Sequence, residues 1–137
     1  MIKGRIIHHG EARGSVTLLT EPLSFWGGFD PKTGAIIDVH HPQCGTVLTN
    51  TIALMFETRG SGTAPGAIAE AIRLGTAPAA IITVSPDVNI AVGAAVAEAL
   101  YGRACPILAV EAGDFEFLAG RQYLQVFPTG MIMAASP

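Results

Sequence analysis

Residues 47–75 read VLTNTIALMFETRGSGTAPGAIAEAIRLG, and this stretch decides the fold. Residues 47–56 are apolar and rich in β-forming side chains, which predicts a strand, and a polar loop punctuated by glycines follows. A helix is predicted next, because Pro65 suits its first turn, Thr63 can cap it and Gly75 can end it.

The same alternation continues towards the C-terminus. Residues 79–84 and 106–110 predict two further strands, and residues 85–87 (Ser-Pro-Asp) open a second helix at 88–101, which Gly102 stops. The order β-α-β-α-β predicts a three-stranded parallel core with right-handed crossovers. Shorter elements are predicted beyond it: a helical turn at residues 114–118 and a last strand at residues 123–127.

The N-terminal third predicts additional β structure. Residues 3–9 and 15–20 resemble two strands, and the turn formers at residues 10–14 between them indicate a hairpin. A further short strand is predicted at residues 35–39. The sequence therefore predicts one α/β domain over residues 1–137, with a parallel core and an N-terminal β layer.

Composition limits the classes of function. The net charge is −3 and no basic run exists, so a nucleic acid is not an expected partner. No apolar stretch reaches the roughly 18 residues of a membrane span, and no signal peptide is evident, so a cytoplasmic protein is expected. Only 14% of the residues are charged. This low fraction indicates either a surface that a partner covers or a compact domain with small residues at its turns.

The loop Arg59-Gly60-Ser61-Gly62-Thr63 is the strongest local signal for a site. Ligands of open α/β sheets bind beyond the carboxyl ends of the strands, and the next helix points free N–H groups at this loop. Arg59 can grip a carboxylate through two parallel hydrogen bonds, and glycines around Ser61 let a ligand approach. The loop is neither a dinucleotide fingerprint nor a P-loop. An ordinary capped turn remains the alternative.

A second cluster lies at residues 25–30, FWGGFD. Aromatic residues around Gly27 and Gly28 on a long loop are typical of a binding surface or a lid. The alternative is a packed loop that buries Trp26.

The histidines do not predict a metal site. His40, His41 and Cys44 lack zinc-ligand spacing, and the segment HHPQC resembles a strand end followed by a proline turn. His8 and His9 lie in a predicted strand, where successive side chains point to opposite faces.

Several separated motifs resemble the small subunit, or swivelling domain, of aconitase X, and they occur in the order of that family. The resemblance extends over about residues 2–128. The motifs are WGGFDP at 26–31, Gly34 with IID at 36–38, HP at 41–42, RGS at 59–61 and GTAPAA at 75–80.

The resemblance implies a β/β/α swivelling domain, a large partner subunit that carries an iron–sulfur cluster, and hydro-lyase activity towards a hydroxy acid. It also implies that the catalytic serine of the family maps to Ser61. Known substrates in the family are cis-3-hydroxy-L-proline and mevalonate 5-phosphate. Substrate contacts are expected from Arg59, Gly60, Gly62, Thr63, Gly27 and Gly28.

Three further expectations follow. A cluster needs about three or four thiolates, and this chain has two cysteines, so it is expected to hold no metal or cofactor itself. An acidic chain with two lysines offers little to a phosphate, which favours the hydroxyproline-type substrate over the phosphomevalonate alternative. Two readings of another class stay open: a scaffolding subunit without a catalytic residue, and a phosphoryl carrier that uses His41.

Overall fold

Strands and helices alternate from the middle of the chain onwards. The structure is a computed structural model that describes residues 1–137. The strands are β1 (Ile2–Lys3), β2 (Arg5–His8), β3 (Ala12–Leu18), β4 (Phe29–Asp30), β5 (Ala35–Ile36), β6 (Ile52–Leu54), β7 (Ala80–Thr83), β8 (Ile107–Ala109), β9 (Tyr123–Val126) and β10 (Met131–Ala134). The helices are α1 (Ala64–Leu74), α2 (Val88–Tyr101) and α3 (Ala112–Ala119). No helix combines the length and the apolar character that crossing a membrane requires.

Eight strands form one sheet in the order β1-β10-β9-β3-β6-β7-β8-β2. The predicted parallel core is confirmed, since β6, β7 and β8 pair in parallel, and β3 joins them as a fourth parallel strand. The remaining strands of this sheet pair antiparallel at its two ends. β4 and β5 form a separate two-stranded ribbon.

Side chains of the parallel strands alternate between two cores. Ala53, Ile81 and Ile107 belong to a core that they share with α1 and α2. Ile82 and Leu108 point to the other face, into a core shared with α3 and with β9 and β10. Because β9 and β10 reach residues of β7 and β8 without pairing to them, the antiparallel strands fold across the parallel ones. The result is a β/β/α arrangement, as the resemblance implied.

The predicted hairpin between the first two strands is wrong. β2 pairs with β8, through Arg5 opposite Ala109, and β3 pairs with β9, through Ala12 opposite Val126. Ala12 and Arg13, which fall inside the predicted turn, already belong to β3. The local turn signal is outweighed because β2 and β3 pair with strands distant in sequence, β8 and β9, which carry buried side chains.

Other element limits follow local signals to different degrees. Gly75 and Gly102 end α1 and α2 in the left-handed conformation, with φ of 79° and 66°, as predicted. The strand predicted at residues 47–56 contracts to β6, since Asn50 adopts a positive φ of 60° and interrupts it. The predicted helical turn at 114–118 is part of α3, and β10 follows the strand predicted as the last.

Gly93 sets how closely the two large helices approach. A Cβ added at Gly93 would lie 2.4 Å from the carbonyl oxygen of Pro65, in the first turn of α1. Glycine in a helix interior ordinarily lowers stability relative to alanine. The close contact between the two helices explains why glycine occupies position 93. The start of α1, and with it the loop that precedes α1, is therefore positioned by α2.

Gly93→Ala should lower the free energy of unfolding by about 1–3 kcal/mol, because α2 must move away from Pro65. The matched control is Gly66→Ala in α1, where an added Cβ meets nothing within 4 Å. That variant should be neutral or more stable by up to about 1 kcal/mol. Urea denaturation followed by circular dichroism measures both, and a Gly93→Ala protein as stable as its control would contradict the close contact.

Candidate functional site

The carboxyl ends of β3, β6 and β7 meet at one edge of the sheet, which we call the carboxyl edge. The parallel strand β8 ends at the same edge, and backbone hydrogen bonds join the loops that follow β3, β6 and β7. The N–H of Arg59 donates to the carbonyl of Leu23 at 3.0 Å, and the N–H groups of Val84 and Ser85 donate to the carbonyl of Phe56 at 3.0 Å. The loop between β6 and α1, residues 55–63, contains Ser61 and is called the serine loop. It is therefore held between the loops that follow β3 and β7.

Ser61 lies half-exposed in the loop before α1. Its Oγ is 2.8 Å from Oγ1 of Thr63 and accepts a hydrogen bond from the N–H of Thr63 at 3.2 Å. Two donors can thus face this oxygen, close to the positive end of the α1 dipole. Such an arrangement stabilises negative charge on an oxygen.

Thr63 does not cap α1 through its side chain, which corrects the prediction. Its backbone is already helical, with φ −96° and ψ −6°, whereas a capping residue is usually extended. The hydroxyl meets Ser61 instead, and the carbonyl of Ser61 accepts the N–H of Ala64 at 3.2 Å. The start of α1 and the serine loop therefore form one unit.

Asp87 ties this unit to α2. Its Oδ1 accepts the N–H groups of Asn89 at 2.8 Å and Ile90 at 3.4 Å, which caps the helix as residues 85–87 predicted. Its Oδ2 accepts the hydroxyl of Thr58 from the serine loop. The sequence analysis did not predict this contact between Asp87 and Thr58. The one signal that could have suggested it is that the loops after neighbouring parallel strands lie at the same edge of the sheet.

A polar cleft of about 240 Å³ opens between the serine loop and the start of α2. Gly60 lines it, together with Glu57, Thr58, Ser85 and Asp87. The side-chain amide of Asn89, also in the lining, donates to the carbonyl of Ser61 at 3.4 Å. This is the cleft where a polar ligand can approach the serine loop.

Gly60 and Gly62 are not required by the fold. Both are exposed, an added Cβ meets no atom within 4 Å at either position, and neither has a positive φ. No contact within this chain therefore explains the two glycines. Approach of a ligand to the loop stays the predicted reason for them.

The guanidinium of Arg59 is free of partners. Its side chain is exposed and forms no ion pair or hydrogen bond within the chain. It borders a small cleft of about 60 Å³ with Glu21, Asp38, His40 and His41. A fork of donors without a partner suits a carboxylate ligand.

His41 holds the backbone of this region. It is buried, its Nδ1 accepts the N–H of Gln43 at 3.0 Å, and its Nε2 lies 3.0 Å from the carbonyl of Glu21. Because Nδ1 accepts, Nε2 carries the proton and donates. A phosphoryl carrier needs an accessible ring nitrogen, and both nitrogens of His41 are engaged.

The loop with the aromatic cluster at residues 25–30 forms a third cleft, of about 420 Å³. The cleft lies against Gly66 and Ala67 in the first turn of α1. Trp26 is 60% exposed, so the alternative that buries Trp26 is wrong. Gly27, in the lining, has a φ of 87°, which favours glycine. Gly28 is buried, and an added Cβ would lie 2.7 Å from the carbonyl oxygen of Ser24, so packing explains this glycine.

The thiols of this chain do not fit an iron–sulfur cluster. Burial raises the pKa of Cys105 to about 12, and its Sγ donates to the carbonyl of Pro78. Cluster ligands are thiolates, so Cys105 is unsuited to the role. Cys44 is exposed, and one accessible thiol does not make a ligand set.

The comparisons with known proteins agree with this architecture. The family model of the aconitase X swivel domain matches residues 1–134. The chain belongs to this family.

Relatives differ in length and in the activity their names give. Cis-3-hydroxy-L-proline dehydratase of Hypocrea jecorina is 36% identical over 124 residues, which cover 90% of this chain and 21% of that protein. The phosphomevalonate dehydratase small subunit of Methanothermobacter thermautotrophicus is 42% identical over 93 residues, 68% of this chain and 71% of that subunit. This aconitase X swivel domain thus spans about a fifth of the length of the hydroxyproline dehydratases it matches.

Among solved structures, the crystal structure of Thermococcus kodakaraensis aconitase X in its holo-form superposes with a TM-score of 0.82 at 26% identity. The superposition covers 98% of each chain. It confirms the swivelling-domain fold over nearly all of the molecule.

Asp87→Ala should destabilise the swivel domain by about 0.5–2 kcal/mol, because α2 loses its cap and the serine loop loses its tie through Thr58. Ser85→Ala is the matched control, since its exposed hydroxyl has no side-chain partner. Thermal and urea unfolding measure the difference. Equal stability of the two variants would contradict the role of Asp87.

Proposed function

We propose that this chain is the swivelling domain, or small subunit, of an aconitase X-type dehydratase and that it supplies Ser61 to the dehydration of a hydroxy acid. The observation that carries the proposal is the setting of the Ser61 hydroxyl. It is half-exposed at the carboxyl edge and faces the N–H and the hydroxyl of Thr63. The family relatives named as dehydratases support the type of reaction.

The chemistry assigned to Ser61 is proton removal. Dehydration takes a proton from the carbon next to the carboxylate and hydroxide from the neighbouring carbon. A serine alcohol is a weak base, so its alkoxide must be stabilised before it can accept that proton. The N–H of Thr63, its hydroxyl and the start of α1 supply this stabilisation. When the proton moves, the alkoxide becomes the neutral alcohol, and passing that proton to the departing hydroxide releases water and restores the alkoxide.

Arg59 is assigned to the substrate carboxylate. Its backbone is fixed to Leu23 while its guanidinium has no partner in the chain, so two N–H groups are available for a fork-to-fork contact. The proton to be removed is on the carbon next to that carboxylate. Because Arg59 is two residues from Ser61, binding of the carboxylate by Arg59 would place that carbon near the Ser61 oxygen.

The proposal includes a large partner subunit, as the names of the phosphomevalonate dehydratase small subunits suggest. An iron–sulfur cluster is assigned to that partner, because the thiols of this chain do not fit one. This chain then accounts for substrate binding and proton removal only. Closure of one mobile domain on the other would exclude water from Ser61. A cytoplasmic location stays a prediction from the sequence.

A hydroxyproline-type substrate is favoured over a phosphorylated one. Arg59 lies beside Glu21 and Asp38, and Glu57 lines the neighbouring cleft, so the carboxyl edge offers little positive charge to a phosphate. One guanidinium is enough for a carboxylate. Mevalonate 5-phosphate remains the second candidate, because the phosphomevalonate dehydratase small subunit of Methanothermobacter thermautotrophicus is 42% identical to this chain over 93 residues.

Ser61→Ala in the assembled enzyme should lower kcat by about 10²–10⁴-fold, because the general base is lost. Folding and assembly should persist, since the change removes one oxygen from a half-exposed loop. The measurement is steady-state kinetics with cis-3-hydroxy-L-proline and with mevalonate 5-phosphate, at iron content matched to wild type. Turnover within a few-fold of wild type would leave the scaffolding role as the better account.

Thr63→Val gives the graded control for this experiment. Valine keeps the shape and the backbone N–H but removes the hydroxyl donor, so the alkoxide of Ser61 should form only at higher pH. The kcat of this variant should fall less than that of Ser61→Ala, and its pH profile should move upwards. A purely structural role of Thr63 would lower activity without moving the profile.

Arg59→Lys should raise KM about tenfold, because lysine keeps the charge but loses one of two charge-assisted hydrogen bonds, worth about 1.5 kcal/mol. Arg121→Lys is the control, since Arg121 stacks on Phe117 of α3. Substrate titration of both assembled variants measures the effect. An unchanged KM for Arg59→Lys would assign the carboxylate to another group.

A further inference from the structure

Three possible metal ligands meet at the edge of the sheet opposite Ser61. Nε2 of His8 lies 2.9 Å from Oε1 of Glu98, and Nε2 of His9 lies 3.5 Å from the same oxygen. The ligand atoms of the three residues lie within 4.8 Å of one another. His8 pairs with Ile107 at the beginning of β8, so the cluster sits at the amino ends of the parallel strands.

The local backbone explains how two successive histidines reach one carboxylate. In a regular strand their side chains would point to opposite faces, as the sequence predicted, but β2 ends at His8, so this alternation does not extend to His9. The register of β2 against β8 shifts between Ile6 and His8, which marks a bulge. A bulge re-aims side chains near it, which affects His8, whereas His9 lies just beyond the end of this edge strand.

We propose that His8, His9 and Glu98 form a binding site for a divalent transition-metal ion of the zinc class. Ligands about 2.0–2.1 Å from a tetrahedral zinc ion lie about 3.3–3.5 Å apart. The His9–Glu98 separation of 3.5 Å lies at the upper end of this range, and the His8–Glu98 separation of 2.9 Å is shorter. Small side-chain rotations would bring all three ligands onto one ion.

The donor set selects the kind of metal. Two imidazole nitrogens with one carboxylate oxygen suit zinc and its neighbours, whereas magnesium and calcium prefer oxygen ligands throughout. Three protein ligands leave a fourth position, which a water molecule can take. The side chains of His8, Glu98 and His9 are 11%, 33% and 66% exposed, so the site is anchored in the protein but open to solvent on the side of His9.

The metal would fasten the N-terminal edge strand to the main helix. His8 ends β2, His9 follows it, and Glu98 lies in the last turn of α2. An ion bound to both elements stabilises the folded state by mass action, because the unfolded chain does not hold the three ligands together. The site is structural and independent of the proposed chemistry at Ser61.

The test is calorimetric titration of the chelator-treated full chain with Zn²⁺ alone. One ion should bind per chain, and the melting temperature should rise with zinc. Co²⁺ should give the visible absorption bands of a tetrahedral site. His9→Gln changes an exposed residue and should fold normally, yet it should weaken zinc binding at least about tenfold, since loss of even a residue that only supports a ligand costs that much.

Two controls separate this site from other exposed donors. His40→Gln and Cys44→Ser each remove an accessible ligand elsewhere and should bind zinc as wild type does. Glu98→Gln should lose binding together with His9→Gln. Absence of stoichiometric binding to the wild-type chain, or binding that His9→Gln leaves unchanged, would show that the cluster is a histidine–glutamate hydrogen bond only and would overturn the proposal.

Discussion

Burial of β6 on both faces is the constraint on which the rest of the structure depends. Ile52, Ala53 and Leu54 are fully buried, and this strand lies between β3 and β7 in parallel pairing. A parallel strand with two apolar faces must be covered on both sides. The right-handed crossovers place α1 and α2 on one side, and the antiparallel strands fold over the other. The loop to α1 must then leave at the carboxyl edge, which places Ser61 there.

Helix α2 also determines the arrangement of the domain, because its beginning, middle and end each contact a different part of the fold. At its beginning, Asp87 holds the serine loop through Thr58. In its middle, Gly93 allows contact with Pro65 at the start of α1. Towards its end, Glu98 meets the histidines of β2. One helix therefore connects the carboxyl edge, the start of α1 and the amino ends of the parallel strands.

Local pattern was enough to predict the parallel core, because each strand and helix there is bounded by its own glycine, proline or capping residue. Gly75 and Gly102 are examples, and both have the left-handed backbone that the prediction required. The predictions that failed depend on partners distant in sequence. The turn formers at residues 10–14 predict a hairpin, because the pairing of β2 with the buried strand β8 cannot be inferred from the local sequence. Period-two alternation does not reach His9, because β2 ends at His8 and the end of this strand depends on its pairing with β8.

The candidate site shows the same division. The sequence places Arg59 and Ser61 on a loop at the carboxyl edge, but the donors that face Ser61 depend on Thr63 turning away from the capping role that its position suggests. In the proposed mechanism this has a consequence for catalysis. Ser61 is half-exposed, so in the open domain water competes with Thr63 for its oxygen and weakens the stabilisation of an alkoxide. Closure against the partner would remove that water and strengthen the same two hydrogen bonds. Under this proposal Ser61 would act as a base only when substrate is enclosed, and water would weaken it while the loop is open to solvent.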